Sequence, residues 1–174
     1  GQGLSFDGVN DYISVPHSLY LSPYTGLWTV SAWIKTTVSS GYILCKSDSI
    51  NGCGLGAVED YRLYVEGGKA AFSFNPGNTS AVTSTSTTII ADGGWHHIVG
   101  ERTGSLTSAI YVDGVLQASD TGSGAQTNIV TDKSLFIGTK YASGGFFNGF
   151  IAEVRIYNRV LTPAEIKRLY NMVR

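Results

Sequence analysis

The sequence predicts an all-β fold, two antiparallel sheets stacked as a sandwich, with one short C-terminal helix. Three observations lead there. Apolar runs that are short or of period two recur from residue 12 to residue 159, as half-buried strands require. Gly, Asn and Asp separate them, and 22 glycines in 174 residues suit a chain of tight turns. Helix start signals stand out at one place only, near the end.

Taken in order, the strand candidates are YISV (12–15), WTVSAWIKT (28–36), GYILCK (41–46), YRLYVE (61–66), KAAFSFN (69–75), WHHIVGER (95–102), AIYVDGVLQAS (109–119), SLFIGT (134–139) and GFIAEVRIYNR (149–159). In the second run Trp28, Val30, Ala32 and Ile34 share one face, and only that face is uniformly apolar. Glu66-Gly67-Gly68 and Asp113-Gly114 read as hairpin turns. Asp-Gly favours the type I′ turn, which needs positive φ at both central residues. The Ser/Thr tract 78–88 reads as an exposed edge strand or a loose loop. At the end, Thr162 is a good N-cap, Pro163 fits the first helical position, and Glu165 completes a capping box. Leu161 before the cap can pack on Ile166, and Ile166, Leu169 and Tyr170 form one apolar stripe.

Residues 1–174 read as one domain, a monomeric module of a larger protein. With 12 basic and 13 acidic residues there is no electrostatic footprint for nucleic acid or an anionic membrane. No apolar run reaches the roughly 20 residues of a membrane span, and the start, GQGLSFDG, lacks the basic and apolar regions of a signal peptide. Cys45 and Cys53 flank a Ser/Asp/Asn/Gly loop, which makes a disulfide plausible. Such a bridge would stabilise by roughly 2–3 kcal/mol and would place the protein in an oxidising compartment. The sequon at Asn78 is compatible with that setting.

Four stretches, LSFDGVNDYISVP (4–16), WTVSAWIKT (28–36), GGWHHIVGERTG with AIYVDGVLQAS (93–119) and FNGFIAEVRIYNRVLTPAEI (147–166), resemble the laminin G-like jelly-roll modules of the concanavalin A-like lectin/glucanase superfamily. The resemblance implies two antiparallel sheets of about six or seven strands each. It also implies that Trp95 packs into the core and that the neighbouring His96 and His97 are scaffold. Alternation puts those two histidines on opposite faces, and His17 lies in another loop, so chelation of one ion by the pair is not expected.

Hydrolases of similar fold place Glu-x-Asp-x-(x)-Glu on one strand, whereas retaining chemistry needs two carboxylates about 5–5.5 Å apart. No such spacing occurs here: Glu59 and Asp60 are adjacent and Glu66 is in a turn. No enzymatic activity is expected. Calcium takes six to eight oxygens, and Asp7, Asn10 and Asp11 offer some in a bend. Where many relatives carry Ile-Asp-Glu near a structural calcium, this chain reads Ile151-Ala152-Glu153, which removes one acid and leaves Glu153. The bland alternative for Asp7 and Asp11 is capping of turn amides.

The expected function is non-catalytic, lectin-like binding by an extracellular or cell-surface protein, with a glycan as the ligand. The alternative is a protein–protein adhesion or spacer module without a carbohydrate ligand. Aromatic residues in Gly-rich loops are the candidate sugar platforms: Tyr24, Trp28, Tyr42, Tyr141, Phe146 and Phe147, with Asn148 beside them. On YRLYVE, Arg62 and Tyr64 share a face opposite Tyr61, Leu63 and Val65, and an Arg beside a Tyr could grip a sugar or a carboxylate.

Overall fold

The structure, a computed structural model, describes residues 3–22, 26–47, 59–75, 81–123, 132–140 and 144–172. Among them, twelve strands form two six-stranded antiparallel sheets. The first sheet contains β1 (Leu4–Asp7), β12 (Asn148–Tyr157), β3 (Trp28–Lys35), β8 (Trp95–Gly104), β9 (Thr107–Val112) and β10 (Val115–Thr121), in that order. The second contains β2 (Ile13–Val15), β11 (Leu135–Ile137), β4 (Ser40–Ser47), β5 (Glu59–Glu66), β6 (Lys69–Phe74) and β7 (Val82–Ile89). The helix α1 spans Pro163–Met172. The expected sandwich with one terminal helix is what the chain forms, and the Ser/Thr tract resolves as the edge strand β7, bulged where it meets β6 between Thr85 and Ile89. β1 escaped the period-two reading because four residues carry too little pattern.

The core lies between the sheets. Trp28, Val30, Ala32 and Ile34 of β3 meet Tyr61, Leu63 and Val65 of β5 and Phe72 and Phe74 of β6 within one apolar cluster. Trp28 sits at its lower end against Tyr61 and Phe74, at ring distances of 5.9 and 5.5 Å. The buried guanidinium of Arg102 lies 4.9 Å from the Trp28 ring and 4.8 Å from that of Phe74. Burial lowers its pKa, but it stays a cation because the ring faces and the carbonyls of Gly104 and Ser105 replace its water. Gly100 on β8 faces Phe72 of β6 so closely that a Cβ there would overlap the ring.

The second face of β3 is buried as well, unlike the one-sided burial that alternation implies. The helix and the segment before it cover that face. Val99, Ala109, Tyr111, Leu161 and Ile166 make a second cluster on the outside of the first sheet. Trp33 stacks on Tyr170 of the helix (5.7 Å, 14°) and on His97 (5.3 Å). Below them the buried carboxylate of Glu101 accepts from the Thr29 hydroxyl (2.8 Å) and the Leu161 amide (2.9 Å), pinning the chain before the helix. The capping box forms: the Thr162 amide donates to Glu165, and the Glu165 amide donates back to the Thr162 hydroxyl. Arg159 clamps Glu165 through both of its terminal nitrogens. Both hairpin turns take positive φ at their two central residues, Gly67-Gly68 and Asp113-Gly114.

Two stability predictions follow from this packing. Gly100→Ala is expected to lower stability by about 1–3 kcal/mol, read as a lower Tm, because the sheets must separate to admit one methyl group. Burial holds His97 neutral down to about pH 4, whereas in the unfolded chain it protonates near 6.5. Its contribution to stability is therefore complete above pH 6.5 and is lost as pH falls from 6.5 to 4, by about 3 kcal/mol. Urea unfolding across this window should show a steeper loss for wild type than for His97→Phe; equal slopes would contradict the assignment.

Candidate functional site

Because Tyr61, Leu63 and Val65 point into the core, Arg62 and Tyr64 project from the outer face of the second sheet. β4 pairs beside them with Tyr42 opposite Tyr64. The two tyrosine rings stack at 5.6 Å and 21°, and the Arg62 guanidinium lies 4.7 Å from the Tyr64 ring centre. Tyr64 is itself nearly buried (7% exposed), so it acts as the support on which Tyr42 and Arg62 are positioned. The loop before β12 closes the arrangement. Gly145, at φ +68°, passes so close to Tyr42 that a Cβ would stand 2.7 Å from its ring. The following residue, Phe146, lines a groove of about 280 Å³ together with Ser40, Gly41, Tyr42, Arg62 and Glu66.

The groove unites Tyr42, Arg62, Tyr64 and Phe146, which come from three segments far apart in the sequence. Other candidates lie elsewhere. Trp28 and Phe147 cannot serve as ligand platforms: Trp28 is 2% exposed and Phe147 fully buried, both within the apolar core cluster. Asn148 is outside the groove, where its side chain donates to the Asp7 carbonyl (2.8 Å) and ties β12 to the first turn. Tyr24, Tyr141, Cys53 and the Asn78 sequon lie outside the described residues, and Cys45 is fully buried in β4. Trp95 is only half-buried and packs against Phe150 on the outer face of the first sheet, so it does not enter the core. Pattern reading missed Ser40, Gly41, Glu66 and Gly145. The glycines of SGGFFNG were their one visible signal, since glycine marks close approach of backbone to a ring.

A second recess, of about 270 Å³, opens at the edge between β1 and β12 on one side and β2 and β11 on the other. Leu4, Phe6, Ile13, Ile137, Ile151 and Val154 line it. Its one carboxylate, Glu153, is paired with Arg155 at 2.6 Å, so polar groups able to orient a ligand gather in the Tyr42 groove instead.

The histidines and acids have structural partners. His96 stands between Asp113 (2.9 Å) and Asp92 (3.1 Å), while His97 faces Trp33. Asp7 accepts the amides of Val9 (2.7 Å) and Asn10 (3.2 Å), which hold its carboxyl below the usual range. Asp11 accepts the Asp7 amide at 3.0 Å. Among the described residues no group of three or more His, Cys, Asp and Glu side chains converges to hold a metal. Asp7 and Asp11 are thus joined in one bend, while Glu153 is paired with Arg155.

A family profile of the concanavalin A-like lectin/glucanases superfamily, of laminin G type, matches residues 7–167. The chain belongs to this laminin G-like family. Among curated proteins none matches the chain. Solved structures with the same fold include domains LG4-5 of the mouse laminin alpha1 chain (TM-score 0.68, 18% identity, covering 92% of this chain and 43% of that one). The binding domain of Paraclostridial Mosquitocidal Protein 1 is similar (0.68, 13%, 95% and 42%). So is the binding domain of botulinum neurotoxin DC in complex with rat synaptotagmin II (0.69, 16%, 94% and 40%). The laminin G-like chain spans less than half the length of each of these. No helix among its described residues is long and apolar enough to cross a membrane.

Chelation is expected to leave the Tm of this laminin G-like chain unchanged. A calcium ion bound by the native state alone would raise Tm by mass action, so a drop on adding EDTA would return Asp7, Asn10, Asp11 and Glu153 to the role of ligands.

Proposed function

We propose that this laminin G-like domain is a non-catalytic recognition module that binds a glycan in the groove of Tyr42, Arg62, Glu66 and Phe146. The convergence of those side chains on the outer face of the second sheet supports the reading. A sugar presents C–H faces and a rim of hydroxyls. Tyr42 and Phe146 offer ring surface to the first. Arg62 offers donors, Glu66 acceptors and Ser40 a hydroxyl to the second. At about 280 Å³ the groove is at the small end of ligand sites, which suits one sugar unit of a longer chain. The engagement of Asp7, Asp92, Asp113, Glu101, Glu153 and Glu165 with backbone or cationic partners supports a role without hydrolysis.

The reading includes an extracellular or cell-surface setting, a Cys45–Cys53 disulfide and a place as a module in a larger protein. A protein ligand is the second reading, favoured by the synaptotagmin II complex of the structurally similar neurotoxin domain. The two separate on a glycan array followed by titration calorimetry. Arg62→Ala and Tyr42→Leu should each weaken glycan binding at least about tenfold, roughly 1.4 kcal/mol, with Tm little changed. Glycan binding indifferent to both variants, or no glycan binding at all, would overturn the assignment. Release of reducing ends from a polysaccharide would overturn its non-catalytic part.

A further inference from the structure

His96 is the one imidazole in the described structure with a carboxylate at each ring nitrogen. Nδ1 lies 2.9 Å from Oδ2 of Asp113, and Nε2 lies 3.1 Å from Oδ1 of Asp92. A neutral imidazole has one N–H and one bare nitrogen, so it can donate to only one of two ionised carboxylates. Both contacts are satisfied together only when both nitrogens carry protons.

The two carboxylates belong to different loops. Asp92 lies in the connection from β7 to β8, where it also accepts the Gly94 amide at 2.7 Å. The neighbouring Gly93 amide donates to the Thr36 carbonyl at 2.9 Å, which joins this loop to the β3–β4 connection. Asp113 forms the β9–β10 turn at φ +55°, and its other oxygen accepts the His97 amide at 2.9 Å. Lys167 of α1 reaches the Asp113 carbonyl. One proton on His96 therefore links the Asp92 loop to the turn on which the helix rests.

We propose that His96, Asp92 and Asp113 form a proton-operated latch: protonated His96 clamps the 91–94 loop to the β9–β10 turn, and deprotonation frees the loop. The charged and titratable groups facing His96 are Asp92 from its loop and Asp113 from the turn. Lys167 approaches from α1, and His97 is the neighbour on β8. His97 contributes no competing charge at neutral pH, because burial keeps it neutral to about pH 4. Ile34, the register neighbour of His96 on β3, is uncharged. The hydrogen bond to Asp113, opposed by burial and helped by Asp92, raises the His96 pKa above its ordinary 6.5. The sign follows. The latch is closed at pH values well below the folded-state value of His96, which lies above 6.5, and opens as pH rises through that value, the reverse of the His97 dependence.

Two readouts on the 174-residue chain test it. NMR titration of the imidazoles should place His96 above 6.5 in wild type and lower in Asp92→Asn, an exposed change that leaves the fold intact. Hydrogen exchange of the Gly93 and Gly94 amides, corrected for intrinsic base catalysis, should show loop opening increase at least about fivefold as pH passes the His96 titration. In Asp92→Asn that pH dependence should vanish. A His96 that titrates at or below 6.5, or loop opening in wild type that ignores its titration, would overturn the latch.

Discussion

The structure depends on which face of each strand is buried. On β5, the burial of Tyr61, Leu63 and Val65 against Trp28 and its neighbours commits Arg62 and Tyr64 to the outside. A slip of one residue would drive a guanidinium into the core and three apolar side chains into water, several kcal/mol each way. The candidate groove is therefore a consequence of core packing. Pairing with β4 then sets Tyr42 against Tyr64, and the close pass of Gly145 brings Phe146 to the rim.

The first sheet is used differently. α1 covers part of its outer face, where Trp33, Tyr111 and Tyr157 join a second, smaller core, while Trp95 and Phe150 on the same face stay partly exposed. The groups there that look reactive in isolation have protein partners. Glu101 holds the chain before the helix, and Arg159 with Glu165 fixes the helix start. The adjacent histidines divide into a neutral ring in an aromatic stack and a ring between two carboxylates. The surfaces of the sandwich thus divide: the helix-covered sheet carries stability and its response to pH, and the open sheet carries the candidate site.

Much of this was legible in sequence because it depends on local rules. The capping box at Thr162 and Glu165, the Asp113-Gly114 turn and the alternation along β5 each follow from a few neighbouring residues. What escaped depends on distant partners. Phe146 and Phe147 are equivalent in composition, and only distant packing partners, such as Phe6 against Phe147, decide that Phe147 is core and Phe146 lines the groove. Trp28 sits near a Gly-rich stretch yet is buried, because Tyr61 and Phe74 come from the other sheet. Trp95 fell short of the core since its outward position on β8 faces Phe150. The second buried face of β3 could not be read from β3 at all, for its cover arrives 130 residues later.

The central claim is that recognition occurs on the open face of the second sheet, and mapping by NMR tests it most directly. With a saturating glycan ligand added to isotope-labelled protein, the largest shift changes should fall on Tyr42, Arg62, Tyr64 and Phe146, while Trp33, Tyr170 and the Leu4–Ile13 edge stay still. Changes centred on that edge, or on the helix-covered face, would contradict the account.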